Sequence, residues 1–139
     1  MKKSKTYTVA SPAKNIVEVL IDLERYGKIH PLIVKVEKFE TINTYRIFEK
    51  PFSWVPLNIQ YTAAVKSEMD KISYTISGIP FARVYINYTL IQVSNKSTKA
   101  HFHLSIESKM IGMQILQYKM MRAQDQFMTV LQSEIGQVS

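Results

Sequence analysis

The run from Lys109 to Gly136 most constrains what this chain can become, because it holds helical periodicity over its whole length. At about 100° per residue, Leu116, Met120, Phe127 and Leu131 fall within about 60° of Met113, with Met110, Met128 and Ile135 beside them. Gln117 and Gln124 share that sector. A buried amide without a partner costs about 1–3 kcal/mol, so a stripe carrying two of them faces something wetter or roomier than a sealed core. Nearly everything before this run reads as β-strand, and a long helix laid across a curved sheet roofs a cavity.

The first strand is expected over Lys5 to Val9. Ser11 then offers an N-cap and Pro12 a first helical residue. Ala13, Ile16, Leu20 and Leu23 repeat at helical spacing for about three turns. Gly27 is expected to interrupt that helix, and Glu24 to Ile33 to form a second short turn that ends near His30-Pro31.

Strands follow from Val34 to about Ile42, with Phe39 breaking alternation and suggesting a bulge, and from Tyr45 to Lys50 after an Asn43-Thr44 turn. Leu57 to Val65 and Ile72 to Ile76 alternate cleanly around a turn at Ser67 to Asp70. Arg83 to Val93 and Ala100 to Ile106 flank a turn at Ser94 to Ser97, giving about seven strands. One apolar face per strand, short connections and one long helix describe an α+β fold, an antiparallel sheet wrapped around that helix.

Composition narrows the function classes. The 139 residues suit one domain spanning 1–139. The chain has no cysteine, which removes disulfides, thiolate nucleophiles and Cys-type zinc sites. No apolar segment follows the basic N-terminal residues as a signal peptide would require, and none approaches the roughly 18 residues of a membrane span. A soluble, cytoplasmic protein is expected. The net charge of +7 is dispersed over fringe, turns and helix surfaces. That argues against nucleic-acid binding while leaving room for transient contact with a membrane surface. No Gly-rich phosphate loop is present, and no cofactor is implied.

The order of strand, two short helices, six strands and a long helix resembles the helix-grip superfamily of START-like, Bet v 1-like and polyketide-cyclase-like (SRPBCC) proteins. The segment V-A-S-P-A-K-N-I-V-E-V-L-I-D-L-E-R-Y, Val9 to Tyr26, is similar to the family's opening strand, its small-residue-Pro entry to helix one, and the D-x-E-x-Y that closes it. The resemblance implies a cavity between the sheet's concave face and the last helix. Its mouth would be formed by Leu32-Ile33, by Pro51 to Pro56 with Phe52 and Trp54, and by Gly78-Ile79-Pro80-Phe81. Exposed apolar side chains on loops mark such entrances.

The expected ligand is a hydrophobic or amphipathic small molecule: a lipid, fatty acid, isoprenoid, quinone or aromatic polyketide. Gln117 and Gln124, with one or more of Tyr61, Tyr74 and Tyr88, are the expected polar contacts. Met113, Leu116, Met120, Ile76, Phe81 and Trp54 are the expected apolar wall. A Tyr ring suits an apolar ligand while its hydroxyl fixes a polar head, and Met adapts to varied shapes.

His101 and His103 share a strand face opposite Phe102, Leu104 and Ile106, so they belong on the convex side, and two ligands without a third make no metal site. Glu49 and Arg46 lie on a strand whose parity Ile47 and Phe48 leave undecided. No nucleophile-base pair or carboxylate pair is evident, so no catalytic residue is assigned. Two rivals stay open. One is a cyclase or dehydratase using His30 or a buried carboxylate as base; the other is an interaction module of the chaperone-activator kind with a filled interior. Ile111 and Ile115 on the outer helix face leave monomer and homodimer both open.

Overall fold

The computed structural model describes residues 2–50, 59–79, 82–108 and 113–135, without the side chains of Met113 and Leu116. Trp54, Phe81, Met110, Ile111, Leu57 and the loop from Pro51 to Pro56 lie outside the described residues. The strands are β1 (Lys2–Val9), β2 (Ile33–Lys38), β3 (Thr44–Glu49), β4 (Ile59–Glu68), β5 (Lys71–Ser77), β6 (Ala82–Ser94) and β7 (Ser97–Ser108). The helices are α1 (Ala13–Ile21), α2 (Leu23–Ile29) and α3 (Met113–Ile135).

All seven strands form one antiparallel sheet in the order β1-β7-β6-β5-β4-β3-β2. The sheet curves around α3, the helix-grip arrangement. Consecutive strands from β2 to β7 are neighbours; β1 alone pairs across a long interval, with Ser4 opposite His103 and Tyr7 opposite Ala100. Alternation selects the concave face. Tyr45 and Ile47 of β3, Ala63 and Val65 of β4, Ile72, Tyr74 and Ile76 of β5, and Phe102, Leu104 and Ile106 of β7 are all buried there. The matching face of α3 buries Gln117, Ala123, Gln124, Phe127, Met128, Leu131 and Ile135.

The start of α1 departs from expectation. Ser11 does not cap the helix, and Pro12 occupies the N-cap position with no side-chain bond of its own. The cap comes from across the sheet, where Gln92 Oε1 of β6 accepts from the Ala13 N–H at 2.9 Å. Ser11 is buried, and its carbonyl accepts from Thr98 Oγ1 at 2.7 Å. These two bonds tie the β1–α1 corner to β6 and β7, a tertiary cap that local sequence does not reveal.

Gly27 likewise does not break a helix. It lies inside α2, which begins where Asp22 Oδ1 accepts from the N–H groups of Glu24 and Arg25. A Cβ at Gly27 would sit 2.6 Å from Val36 Cγ2, so glycine is there to let α2 press against β2. The β-bulge falls between Ile33 and Lys35, not at Phe39. β2 ends at Lys38, and the Phe39 N–H instead bonds the Thr44 carbonyl across the turn. Asn43 takes the left-handed conformation this turn needs (φ 58°). β1 begins at Lys2 rather than Lys5, and β4 runs on to Glu68, leaving Met69-Asp70 as the hairpin tip.

Helix α3 is anchored along β1. Asp125 Oδ1 accepts from Lys5 Nζ and from the Tyr7 hydroxyl, both at 2.7 Å, and Gln132 Oε1 accepts from the Ala10 N–H at 2.8 Å. None of the described helices is long and apolar enough to cross a membrane.

Candidate functional site

The parity of β3 decides the character of the interior. Tyr45 and Ile47 point inward, so Glu49 does too, while Arg46 points out and lies 5.3 Å from the Phe39 ring centre. Phe48 is also outside, with Lys35 Nζ 5.4 Å from its ring centre. The two outward aromatics that blurred the alternation are thus covered by cations. The consequence is a carboxylate on the concave side.

Between the sheet and α3 lies a cavity of about 70 Å³. Its floor is apolar: Ile59 of β4, Ile76 of β5, Val84 and Ile86 of β6 and Phe102 of β7. Tyr26 and His30 of the α2 region, with Leu32, Ile33 and Ile79, form one side, and Met120 and Gln124 of α3 form the roof. Glu49 and Tyr61 complete it. A second cavity of about 40 Å³ adjoins and shares Tyr26, Ile33, Tyr61, Ile76 and Ile86, reaching Tyr74 and Ala63 beyond them.

The polar groups on these walls are few and each has a defined setting. The Tyr61 hydroxyl donates to Glu49 Oε2. Desolvation raises the Glu49 carboxyl to about 7, because burial disfavours its charged form. His30 caps the end of α2; its Nδ1 accepts from the Leu32 N–H at 3.3 Å, which leaves Nε2 to carry the proton of the neutral ring. The imidazole stacks on Tyr26 at 5.5 Å and lies 5.8 Å from Phe127, and desolvation lowers its pKa to about 4.

Behind the cavity the tyrosines form a chain. Tyr88, fully buried, donates to Gln124 Oε1 at 3.0 Å, and the Tyr26 and Tyr88 hydroxyls are 3.3 Å apart. Tyr74 donates to the Leu20 carbonyl of α1. Burial, first of all, pushes the phenols of Tyr26, Tyr74 and Tyr88 well above their ordinary value, so all three remain neutral donors.

The residues expected to meet ligand are therefore divided. Tyr61, Ile76, Met120 and Gln124 meet at the larger cavity, Tyr74 lines only the smaller, and Tyr88 stands beneath Gln124 as its partner. Gln117 is buried but elsewhere: with Lys2, Lys3, Gln114, Tyr118 and Met121 it lines an open groove of about 680 Å³ between β1 and α3. That groove is the larger concavity, yet it carries none of the desolvated groups. Met113 and Leu116 lie on the first turn of α3; Trp54 and Phe81 lie outside the described residues.

Sequence reading assigned no ligand-binding role to two polar cavity groups, Glu49 and Tyr26, nor to the apolar floor of Ile59, Val84, Ile86 and Phe102. Glu49 needed its parity, and the signal was Tyr45-x-Ile47-x-Glu49 once Phe48 is allowed on the outside. Tyr26 was seen only as part of the D-x-E-x-Y segment. His101 and His103 lie on the outer face, bonded to Thr6 at 2.7 Å and Ser4 at 2.8 Å across to β1. No cluster of three or more His, Asp or Glu suited to a metal ion occurs among the described residues.

No family model and no curated protein matches the chain. Solved structures do. A START superfamily protein from Mycobacterium smegmatis is similar at 16% identity and TM-score 0.80, covering 99% of each chain. The Zhui aromatase/cyclase from Streptomyces sp. R1128 is similar at 17% identity and TM-score 0.82, covering 97% of this chain and 93% of its own. Ara h 8.0201 is similar at 13% identity and TM-score 0.73, covering 97% of each. At these identities the likeness is one of fold, and the fold is the helix grip of START-like, aromatase/cyclase and Bet v 1-like proteins.

Proposed function

We propose that the chain, acting as one domain over residues 1–139, binds a hydrophobic or amphipathic small molecule in the cavity under α3. The observation that carries this reading is the placing of four polar side chains, Glu49, Tyr61, His30 and Gln124, around a cavity whose remaining walls are aliphatic and aromatic. An apolar enclosure with a few convergent polar groups is the usual form of a small-molecule site. The START superfamily protein and the aromatase/cyclase among the similar structures fit that class of role.

The resting volume of about 70 Å³ is well below the roughly 300–1,000 Å³ of drug-sized sites. The ligand is either compact or makes room by displacing side chains of the wall. Met120 is suited to such displacement. Tyr61, Ile76, Met120 and Gln124 make direct contact in this reading; Tyr74 and Tyr88 support them; Trp54, Phe81, Met113 and Leu116 extend the wall. Gln117 serves the outer groove. A soluble cytoplasmic carrier of a lipid, isoprenoid, quinone or aromatic polyketide, monomeric or dimeric, is the corresponding biology.

A second reading is an enzyme of the cyclase or dehydratase type, favoured by Glu49, a carboxyl near 7 inside the cavity and so suited to proton transfer at neutral pH. The small resting volume of the interior favours a third, an interaction module.

Native mass spectrometry of the freshly purified protein, with extraction of whatever it carries, separates the first reading from the third. A stoichiometric lipid, quinone or aromatic species supports the carrier. A bare mass together with no uptake from a mixed lipid and polyphenol panel refutes it and favours the interaction module.

A further inference from the structure

We infer that the cavity is built to hold a neutral carbonyl oxygen, of a ketone, quinone or ester, on the side-chain N–H₂ of Gln124. This rests on the ligand-binding reading above and names the chemistry of the polar end.

The direction of the hydroxyl chain carries it. Tyr88 and Gln124 are 3.0 Å apart, Tyr26 and Tyr88 3.3 Å. A phenol has one proton to donate. If Tyr88 gives its proton to Gln124 Oε1, Tyr26 gives its own to the Tyr88 oxygen, and both protons are used. With the amide turned over, Nε2 would donate to Tyr88 and Tyr88 to Tyr26, and the Tyr26 proton would have no acceptor among the described residues. The chain therefore runs Tyr26 to Tyr88 to Gln124 and holds the amide with its oxygen toward Tyr88.

Its Nε2 is left over. That nitrogen is buried and has no hydrogen-bond partner among the described residues, on a residue only 3% exposed that forms part of the cavity roof. A buried donor of this kind demands an acceptor. The other polar groups on the cavity wall do not meet that need: Glu49 takes the Tyr61 hydrogen bond on Oε2 and is not bonded to Gln124, and the neutral His30 ring, its Nδ1 occupied by Leu32, is itself a donor. Two walls thus offer N–H groups. A neutral oxygen is preferred to an anionic one, because an anion would share an apolar enclosure with the Glu49 carboxylate once that group ionises.

The test uses a matched pair of compact probes, cyclohexanone and methylenecyclohexane, in which C=CH₂ replaces C=O with little change of shape. Binding of each is measured to the wild-type chain and to Gln124→Leu, and the ratio of the two affinities is compared between proteins so that the probes' different hydrophobicity cancels. The ratio should move toward the alkene by about ten-fold or more in the variant, the scale of one lost buried hydrogen bond. Independently of any variant, the C=O stretch of ¹³C-labelled cyclohexanone bound to wild type should lie below its value in a hydrocarbon solvent. If both probes bind, the ratio is unchanged and the stretch keeps its hydrocarbon value, the carbonyl assignment is wrong and the cavity reading survives. If neither probe binds, the carbonyl assignment falls, and the uptake panel above decides the cavity reading on its own. Should Gln124→Leu fail to fold, Gln124→Met, which keeps the length of the side chain without its N–H₂, takes its place in the same comparison.

Discussion

Glu49 and His30 set opposite slopes of stability against pH, and the two nearly cancel in the intact protein. Glu49 lies at about 7 in the fold against an ordinary 4.5. Its raised value means the folded state holds the proton more tightly than the unfolded chain. The associated stability is present below pH 4.5 and lost as pH rises through 7. At about 1.4 kcal/mol per pH unit the loss reaches about 3 kcal/mol, a ceiling because the hydrogen bond from Tyr61 favours the charged carboxylate.

His30 runs the other way. Its pKa falls from 6.5 to about 4, so its share of stability is present above pH 6.5 and lost as pH falls through 4, again by about 3 kcal/mol at most. Between pH 4.5 and 6.5 one slope offsets the other, and urea unfolding of the wild type followed by circular dichroism should give a nearly flat profile. Glu49→Gln should expose the rise with pH due to His30, and His30→Gln the fall due to Glu49. A difference between wild type and Glu49→Gln that stays constant from about pH 4 to about pH 8 would refute the reasoning, because the carboxyl would then titrate alike in both states.

Gly27→Ala should destabilise by about 1–3 kcal/mol, since its Cβ meets the stiff Val36 side chain at 2.6 Å; Val36→Ala in the same chain should recover most of that loss in thermal melts. Gln92→Ala should cost about 1 kcal/mol in urea unfolding, the size of a lost N-cap, although the two residues are far apart in sequence. Met69, almost fully exposed with φ 53°, holds a left-handed conformation that costs a non-glycine residue about 1–2 kcal/mol. Met69→Gly should therefore raise the melting temperature, and an unchanged or lower value would show that the unfolded-chain entropy of glycine outweighs the strain.

Strand periodicity and the amphipathic last helix made the architecture legible, because each of those patterns is a local consequence of which face is buried. The failures have a common cause in contacts between distant segments. Ser11 followed by Pro12 has every local mark of a helix start, but the acceptor that satisfies Ala13 is Gln92. Gly27 looks like a breaker until Val36 is brought against it. Glu49 was hidden because Phe48 and Phe39 find cover outside, under Lys35 and Arg46, where a simple rule would send aromatics inward. Of the two glutamines on the helix stripe, burial of both was foreseeable, but only the tertiary fold separates Gln124 over the interior from Gln117 beside β1.

The pairing of β1 with β7 also bears on how the chain acquires its shape. Every other neighbouring pair in the sheet is consecutive in sequence, so those hairpins form from nearby segments. Thr6 must wait for His101, and Lys5 for Asp125, 120 positions later. At the roughly 5–20 residues per second of protein synthesis, the first strand spends several seconds outside the ribosome before its partner exists. Its three lysines, Lys2, Lys3 and Lys5, set beside Ser4, Thr6 and Thr8, keep that interval safe, since a charged strand is a poor template for premature pairing.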